Sequence, residues 1–325
     1  MSKGLDVGTM NLVSASTEKG GQIKTSRIRN VFLDLPRNAK KLIKLSGASF
    51  IEGKDSLLIV GDNAFDMANM FGRVARRPLS QGIVSNNESN AIDVLGYMIK
   101  TLLGEPSKQG EVCYFSVPAP PIDNPSKDIV YHKRLFERII NECGYTAFPS
   151  NEAMAVIFSE CESTNFSGIG FSFGSGMTNV ALANLSMECL SFSCERGGDW
   201  IDSGASKAVG VSQISVCLEK EKGIDLLNPK NRTQEAISFY YKELIEYAVD
   251  VVVSEFNRKR LNMTITKPLP IIVSGGTSKA GNFLEFFSQV ISKKKLPFDI
   301  SEIKHASDPY NAVAVGLLIQ ANAEE

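Results

Sequence analysis

The chain has 325 residues, of which 43% are hydrophobic and 22% are charged, as in ordinary globular proteins. Its 35 Lys and Arg residues nearly balance its 36 Asp and Glu residues, so the charge gives no reason to expect a nucleic-acid partner. No apolar run approaches the ~20 residues that cross a bilayer, and we expect no membrane insertion. Six scattered cysteines without a C-x-x-C pair indicate reduced thiols in the cytoplasm.

Strand patterns dominate the first third of the chain. They are LDVGTMNLVSAS, GQIKTSRIRNVFLDL, ASFIEG and LLIVG. Helical spacing follows in DNAFDMANMFG and in ESNAIDVLGYMIKTLLG, which stops at Gly104. A buried strand, EVCYFSV, then leads through PAPP to an amphipathic helix that ends at Gly144.

The same order of strands before helices begins again in the second half. Asn151 is predicted to cap a short helix, and three strands follow it: GIGFSFG, MTNVALANL and MECLSFSC. A long helix is predicted over residues 233–259, followed by the strand PLPIIVSGG and a final helix in SDPYNAVAVGLLIQA. Strands followed by helices, twice over, predict two α/β domains that face each other across a cleft.

Each half of the chain begins with a similar glycine hairpin. GLDVGTMNLVSA begins at Gly4 and GFSFGSGMTNVAL begins at Gly170, so that Gly8 corresponds to Gly174. Glycine turns let a backbone approach a ligand closely, and successive N–H groups in such a turn suit phosphate. The pair of hairpins predicts two loops that hold one polyphosphate from both sides.

The two hairpins differ at one position that bears on chemistry. Asp6 ends the first strand, where a carboxylate can hold Mg²⁺ through water while phosphates complete the shell. The alternative is that Asp6 caps the turn. The second hairpin has Ser172 at this position, and a hydroxyl carries no charge.

The two hairpins resemble the phosphate loops of the actin and heat-shock chaperone ATPase superfamily. IIVSGGTS resembles its adenosine-binding glycine turn, ERGGDWID its Gly-Asp element, and DPYNAVAVG its second connecting segment. The chain length and RRPLSQGIV, which begins at Arg76, are most similar to the bacterial actins of the MreB and MamK kind. The resemblance implies an α/β fold of two related actin-like, ribonuclease H-like domains that flank a nucleotide cleft.

The resemblance also implies domain boundaries. Domain I would span residues 1–166, with a small subdomain at about 31–80, and domain II would span residues 167–307. The C-terminal helix, 308–325, would return to domain I.

ATP or ADP with Mg²⁺ is the ligand that the resemblance implies, and Asp6 would hold the metal. Lys220 and Glu221 are expected against the base and ribose, with a solvated charged face as the alternative reading. The residues expected to bind ATP are Gly8, Thr9, Met10, Asn11, Gly174, Ser175, Gly176, Met177, Thr178, Gly198, Lys220, Glu221, Gly275, Gly276 and Thr277.

Catalytic roles are expected for Asp6, His132 and Ser172. The family orients the attacking water with a residue at the start of the helix that contains His132, and Tyr131 and Glu137 are alternatives. A further alternative is that His132 is an ordinary polar residue on an amphipathic helix. Because relatives generally have a second Asp where this chain has Ser172, we expect ready ATP binding and slow hydrolysis.

The function that the resemblance implies is a cytoplasmic ATP-binding protein that polymerises with itself into cytoskeletal filaments. Two alternatives remain open. One is a small-molecule kinase of the same superfamily with Asp199 or Asp202 as its base, and the other is a nucleotide-binding scaffold or adaptor without turnover. The sequence identifies no cargo.

Overall fold

A computed structural model describes residues 2–53, 56–258, 265 and 267–324 of the chain. Within these residues the backbone forms fifteen strands. They are β1 (Lys3–Val7), β2 (Asn11–Thr17), β3 (Ile23–Arg29), β4 (Phe32–Pro36), β5 (Phe50–Glu52), β6 (Ser56–Val60), β7 (Leu79–Ser80), β8 (Ile83–Val84), β9 (Glu111–Val117), β10 (Tyr145–Asn151), β11 (Gly168–Phe173), β12 (Thr178–Asn184), β13 (Met187–Cys194), β14 (Leu269–Ser274) and β15 (Ile300–His305).

The same described residues form ten α-helices. They are α1 (Lys40–Leu45), α2 (Asp62–Met70), α3 (Ala91–Leu103), α4 (Val130–Glu142), α5 (Glu152–Glu160), α6 (Gly198–Val209), α7 (Gln213–Glu221), α8 (Arg232–Arg258), α9 (Phe283–Ile291) and α10 (Ala312–Ala323).

The two five-stranded sheets repeat one strand order. In the first sheet, β1 and β2 are antiparallel, as are β2 and β3, while β1, β9 and β10 run parallel to one another. In the second sheet, β11 takes the place of β1, with β12 and β13 on one side and β14 and β15 on the other. This repeat confirms the two related α/β domains that the matched hairpins predict.

A smaller three-stranded sheet, in the order β4-β6-β5, lies between β3 and β7 in the chain. Its own hydrophobic core includes Leu33, Ile43, Leu57 and Ile59, each no more than 3% exposed. One face of this small sheet therefore packs in a core of its own, while Phe32, Leu58 and Val60 on its strands pack in the core of the first large sheet. The domain and subdomain boundaries that the resemblance implies remain a prediction.

Helices α5 and α10 pack between the two large sheets through close contacts at glycines. A Cβ on Gly4 of β1 would overlap the Ala314 carbonyl of α10, and one on Gly170 of β11 would overlap the Ala153 carbonyl of α5. Gly4 and Gly170 correspond in the two hairpins, so both copies use this glycine to bring a helix against the sheet. The two helices also contact each other at Gly316 of α10.

Several predicted elements are present. Asn151 caps α5, since its Oδ1 accepts from the N–H of Ala153 at 2.8 Å and of Met154 at 3.1 Å. Helix α8 agrees with the predicted long helix, although Lys259 lies outside the described residues.

Several elements were not predicted, among them α1, β10, α6, α9 and β15. Strand β10 contains Pro149, which argues against a strand in a sequence, but β10 lies at the edge of its sheet, where a missing N–H is tolerated.

Further contacts link the two domains. The segment after β9 lies beside β13, where the Ile122 N–H donates to the Ser193 carbonyl at 2.9 Å and the Ser193 N–H donates to the Pro120 carbonyl at 3.2 Å. Elsewhere, Arg77 Nη1 lies 2.7 Å from Asp199 Oδ2 at the start of α6. These contacts position the two halves on either side of a cleft.

Candidate functional site

A cleft of about 550 Å³ lies between the two domains, where β1 and β11 end. Residues of both glycine hairpins line it, including Asp6 from the first and Gly174 from the second. The two hairpins therefore face one cleft, as expected from their sequences.

The tips of the hairpins meet at a third turn, residues 81–82, between β7 and β8. The Gly82 N–H donates to Thr9 Oγ1 at 3.2 Å. A Cβ on Gly176 would lie 2.5 Å from Thr9 Oγ1 and 2.7 Å from the Gly82 nitrogen, so only glycine fits there. One end of the cleft is thus built from three segments that are far apart in sequence.

Two carboxylates lie at this end of the cleft. Ser116 Oγ donates to Asp6 Oδ1 at 2.9 Å, and Asn179 Nδ2 donates to Glu152 Oε2 at 2.9 Å. Burial raises the pKa of Asp6 to about 6, and burial together with the neighbouring Asp6 charge raises the pKa of Glu152 to about 8. Ionisation of both carboxyl groups at once is therefore unfavourable unless a positive charge lies beside them.

Glu152 is a candidate residue that the sequence analysis missed. It begins α5, directly after the N-cap Asn151, and a hydrogen bond with Ser172 partly offsets the rise in its pKa. A carboxylate from α5 thus lies beside the position at which the second hairpin lacks one. The available signal was an acidic residue in the first turn of a helix that follows directly on a strand.

The other end of the cleft is formed by the glycine turn after β14. Gly275 has a φ of 91°, and its N–H donates to the Pro309 carbonyl at 2.9 Å. Thr277 Oγ1 donates to the Gly174 carbonyl at 2.9 Å. The turn is thereby fixed both to the second hairpin and to the loop before α10.

Lys220 and Glu221 also line the cleft. Lys220 Nζ lies 2.7 Å from Asp202 Oδ1 and donates to the Gly198 carbonyl at 3.0 Å. The Lys220 side chain is only 13% exposed, so the alternative of a solvated charged face does not apply to it.

Most residues that were expected to contact the nucleotide line this cleft. Thr178 does not, because its side chain is fully buried and its hydroxyl donates to the Arg196 carbonyl at 2.8 Å. Those that line it are Asp6, Gly8, Thr9, Met10, Asn11, Ser172, Gly174, Ser175, Gly176, Met177, Gly198, Lys220, Glu221, Gly275, Gly276 and Thr277.

The structure does not bring His132 into the cleft. His132 is 1% exposed, packs on Phe136 with ring centroids 4.7 Å apart, and borders a second pocket of about 640 Å³. Its helical position puts it on the buried face of α4, the face that also carries Leu135 and Ile139. Burial and the nearby Lys127 charge lower its pKa to about 4.

The two alternatives to His132 do not line the cleft either. Tyr131 lines the second pocket, and Glu137 pairs with Arg134 at 2.8 Å. The expected water-orienting role therefore has no support at His132, Tyr131 or Glu137 in this conformation.

The described helices include none that is both long and apolar enough to span a bilayer.

The repeated sheets, the helices between them and the cleft define the two-domain actin-like fold, and solved structures of that class match nearly the whole chain. A MamK double helical filament has 19% identity and a TM-score of 0.72, with 100% of this chain and 98% of that chain covered. MreB5 of Spiroplasma citri bound to AMPPNP has 16% identity and a TM-score of 0.68, with 99% and 98% covered.

The ethanolamine utilization protein EutJ from Carboxydothermus hydrogenoformans is a more distant match, with 15% identity, a TM-score of 0.56, and 97% of this chain and 89% of that chain covered. The chain belongs to the Volactin family, whose model matches residues 1–321. No curated protein matches it.

Proposed function

We propose that the chain binds ATP with Mg²⁺ in the cleft and polymerises with itself into filaments. The observation that carries the proposal is the pair of glycine hairpins, residues 8–11 and 174–177, that line one cleft from two domains. Backbone N–H groups in such turns attract phosphate, and two opposed turns suit a chain of phosphates.

The carboxylates at the same end of the cleft fit a magnesium ion. Mg²⁺ in nucleotide sites uses one or two carboxylates together with phosphate oxygens and water, and Asp6 and Glu152 supply that number. A larger cluster of metal-ligating side chains is not found in the part of the chain that the structure describes. When bound, the ion supplies positive charge against the phosphate oxygens.

The protein groups around the carboxylates fix their positions. Ser116 holds Asp6, and Asn179 holds Glu152 and also accepts from the Ala119 N–H at 3.1 Å. Glu152 lies at the phosphate end and His132 does not, so we assign to Glu152 the orientation of the attacking water. We retain slow hydrolysis, because Ser172 gives the second hairpin no charge of its own.

Self-assembly is supported by the similar solved structures, one described as a MamK double helical filament. Exposed apolar side chains occur on both domains: Leu45 is 78% and Met70 is 76% exposed in the small subdomain, and Ile214 is 63% and Phe239 is 55% exposed in domain II. Apolar surface of this kind is commonly covered when proteins associate.

The remaining parts of the proposal concern location and partners. The near-balanced charge supports self-association without nucleic acid, and the six free cysteines support a reducing compartment such as the cytoplasm. We assign no cargo or adaptor.

The test is assembly of the full chain followed by pelleting and light scattering, with negative-stain images of the product. We expect filaments with ATP and Mg²⁺, and loss of assembly when a chelator or no nucleotide is used. A strict monomer in analytical centrifugation at every concentration with ATP and Mg²⁺ would contradict the filament proposal.

The kinase alternative has less support than it had from the sequence. A kinase needs a free base facing its substrate, but Asp199 is paired with Arg77 and Asp202 is paired with Lys220, each at 2.7 Å.

A further inference from the structure

A buried asparagine lies directly behind the first glycine hairpin. Asn30 follows the last residue of β3, is fully buried and does not line the cleft. Its Nδ2 donates to the Gly8 carbonyl at 2.9 Å, and its backbone N–H donates to the Met10 carbonyl at 2.9 Å. Asn30 therefore holds the turn that leads from β1 into β2 at two points.

The bond to Gly8 sets the direction of the next N–H group. In a planar trans peptide the C=O and N–H groups point to opposite sides, so a Gly8 carbonyl that faces Asn30 turns the Thr9 N–H away from Asn30. Thr9 lines the cleft, and its N–H has no acceptor among the residues that the structure describes. Because backbone N–H groups of buried residues are rarely left unpaired, this group is available to a ligand in the cleft.

The second hairpin holds the corresponding carbonyl in a similar way. Gly174 corresponds to Gly8, and its carbonyl accepts from Thr277 Oγ1 at 2.9 Å and from the Gly198 N–H at 3.0 Å. The two hairpins thus use different residues to hold the same carbonyl of a repeated turn. This repetition indicates that the turn requires a donor at this carbonyl, whichever residue supplies it.

The side chain of Asn30 also has a feature that packing alone does not explain. Its Oδ1 is buried and has no hydrogen-bond partner in the described part of the chain. Turning the amide over would place Oδ1 against the Gly8 oxygen, so Nδ2 is the atom that faces Gly8. An unpaired buried oxygen lowers stability, and native proteins contain few of them. A leucine has a similar shape and would avoid this loss, so Asn30 supplies something that an apolar residue cannot.

We propose that Asn30 is a positioning residue for phosphate binding, because it holds the Gly8 carbonyl back and so leaves the Thr9 N–H free to donate to a phosphate oxygen. This inference rests on the proposed function, since it names the group that orients one of the two phosphate-binding turns. Asn30 acts through the backbone of the hairpin and does not contact the ligand.

The experiment measures affinities for Mg-ATP and for magnesium tripolyphosphate, which has no base, by calorimetry. Asn30→Leu keeps the approximate shape of the side chain and removes its donor. We expect it to weaken both ligands by a similar factor of roughly 10- to 150-fold, the range for one lost hydrogen bond to a charged group. The melting temperature of the ligand-free variant should change little, because removal of the unpaired Oδ1 offsets the lost bond to Gly8.

A second measurement reports on the Thr9 N–H itself. In protein labelled with 15N-threonine, the Thr9 amide signal is identified by its absence in Thr9→Ser. With saturating magnesium tripolyphosphate, its proton should move downfield in the unmodified chain and much less in Asn30→Leu. A purely structural role of Asn30 would not remove this shift from a folded variant.

Asn228→Leu is the matched control. It makes the same substitution and also removes an amide donor, since Asn228 Nδ2 donates to Asp225 Oδ2 at 3.0 Å, but Asn228 does not line the cleft. It should leave both affinities unchanged. If Asn30→Leu does not fold, Asn30→Asp takes its place, because an ionised aspartate keeps the shape of asparagine and has no donor.

Three results would contradict the inference. Unchanged affinities in a folded Asn30 variant would overturn it and leave the proposed function standing. Weaker binding of ATP with unchanged binding of tripolyphosphate would also overturn it, because Asn30 would then act away from the phosphates. If the unmodified chain binds neither ligand, the proposed function fails and this inference fails with it.

Discussion

At the scale of single residues, the proposed phosphate end of the cleft combines close backbone turns with two carboxyl groups whose ionised forms are disfavoured. Asp6 has a hydrogen bond from Ser116, and Glu152 has hydrogen bonds with Asn179 and Ser172, but both pKa values are raised because burial penalises the charged forms. Such a site is less stable without its ligand than an apolar one would be. A bound cation would remove this destabilisation. Proteins commonly lose some stability at sites that their function requires.

Glu152→Gln tests whether the Glu152 carboxylate lowers the stability of the protein while it contributes to ligand binding. The folded pKa of Glu152, about 8, lies above its ordinary value of 4.5, so its contribution to stability becomes unfavourable as the pH rises through this range. We expect Glu152→Gln to raise the melting temperature of the nucleotide-free protein at about pH 8 and to weaken Mg²⁺-dependent ATP binding by roughly 10- to 100-fold.

Asp6→Ala should weaken Mg²⁺-dependent binding more than any other single carboxylate change. Asp62→Asn is the control, because Asp62 also lines the cleft but is 75% exposed and pairs with Arg29. ATP affinities measured with and without Mg²⁺ decide the matter. An unchanged Mg²⁺ dependence in Asp6→Ala would show that the metal assignment is wrong.

Ser172→Asp tests the expectation of slow hydrolysis. If the missing charge raises the barrier by ~2–4 kcal/mol, restoring it should speed turnover by roughly 30- to 1000-fold. Because Glu152 is hydrogen-bonded to Ser172, the matched control is Ser172→Asn, which adds similar bulk without charge and should not speed turnover. Turnover and filament lifetime are measured together, and an unchanged rate in Ser172→Asp would contradict this explanation.

His132→Phe should make the protein less sensitive to acid. The folded pKa of His132 is about 4 and its ordinary value is 6.5, so the unfolded chain binds more protons between these values and stability falls with pH. Between about pH 8 and about pH 5, the free energy of unfolding should therefore fall by about 2 kcal/mol more in the unmodified protein than in the variant. Urea unfolding at both pH values measures it, and equal losses would argue against a buried neutral His132.

At the scale of elements, the helices between the sheets depend on small residues that allow backbones to approach. Gly4 lets β1 approach α10 closely, and Gly170 lets β11 approach α5 closely. Gly316 allows the close contact between those two helices. The residues of this interface are mostly alanine and small aliphatic side chains, and they are almost fully buried. Packing of this kind tolerates added atoms poorly, because neighbouring backbone atoms cannot move aside.

Gly316→Ala should therefore destabilise the protein by about 3 kcal/mol, since its Cβ would overlap the Ala155 carbonyl. Gly96→Ala is the matched control in α3, because a Cβ there has nothing within 4 Å. We expect the control to stabilise by up to about 1 kcal/mol, the usual gain in a helix interior. Thermal unfolding of both variants gives the comparison, and equal effects would mean that α5 and α10 do not pack this closely.

At the scale of the whole molecule, the cleft is bordered by contacts that join the domains on more than one side. The segment at Pro120 and Ile122 extends the second sheet, while the Arg77–Asp199 ion pair reaches across to the start of α6. Both members of that pair are about 30% exposed, so the pair has modest strength and can break when the domains separate.

Arg77→Gln should speed nucleotide release without changing the fold. Loss of about 1 kcal/mol across the cleft corresponds to roughly a fivefold higher dissociation rate. Asp199→Asn should have the same effect, and the double variant should add little, because the two changes break one contact. Arg134→Gln, which breaks a surface pair within α4, is the control. Stopped-flow release of a fluorescent ATP analogue measures these rates, and additive effects would show that the pair does not act as a unit.

The sequence by itself determined the duplicated architecture and most of the cleft. Hairpin glycines and the alternation of strands and helices are local signals. Gly8 and Gly174 predict tight turns from their neighbours in the sequence alone, without any knowledge of tertiary contacts. The N-cap at Asn151 is also local, because its side chain bonds to N–H groups two and three residues away.

Only the tertiary structure decided which side chains point into the cleft. Glu152 reaches it because α5 packs on β11 through Gly170, and His132 is excluded because α4 turns that residue towards Phe136. Both residues lie in the first turn of a helix, and the difference lies in what each helix packs against. Contacts between residues far apart in the chain, such as Thr9 with Gly82 and Tyr310 with Arg27, leave no local pattern, because they depend on how complete domains meet.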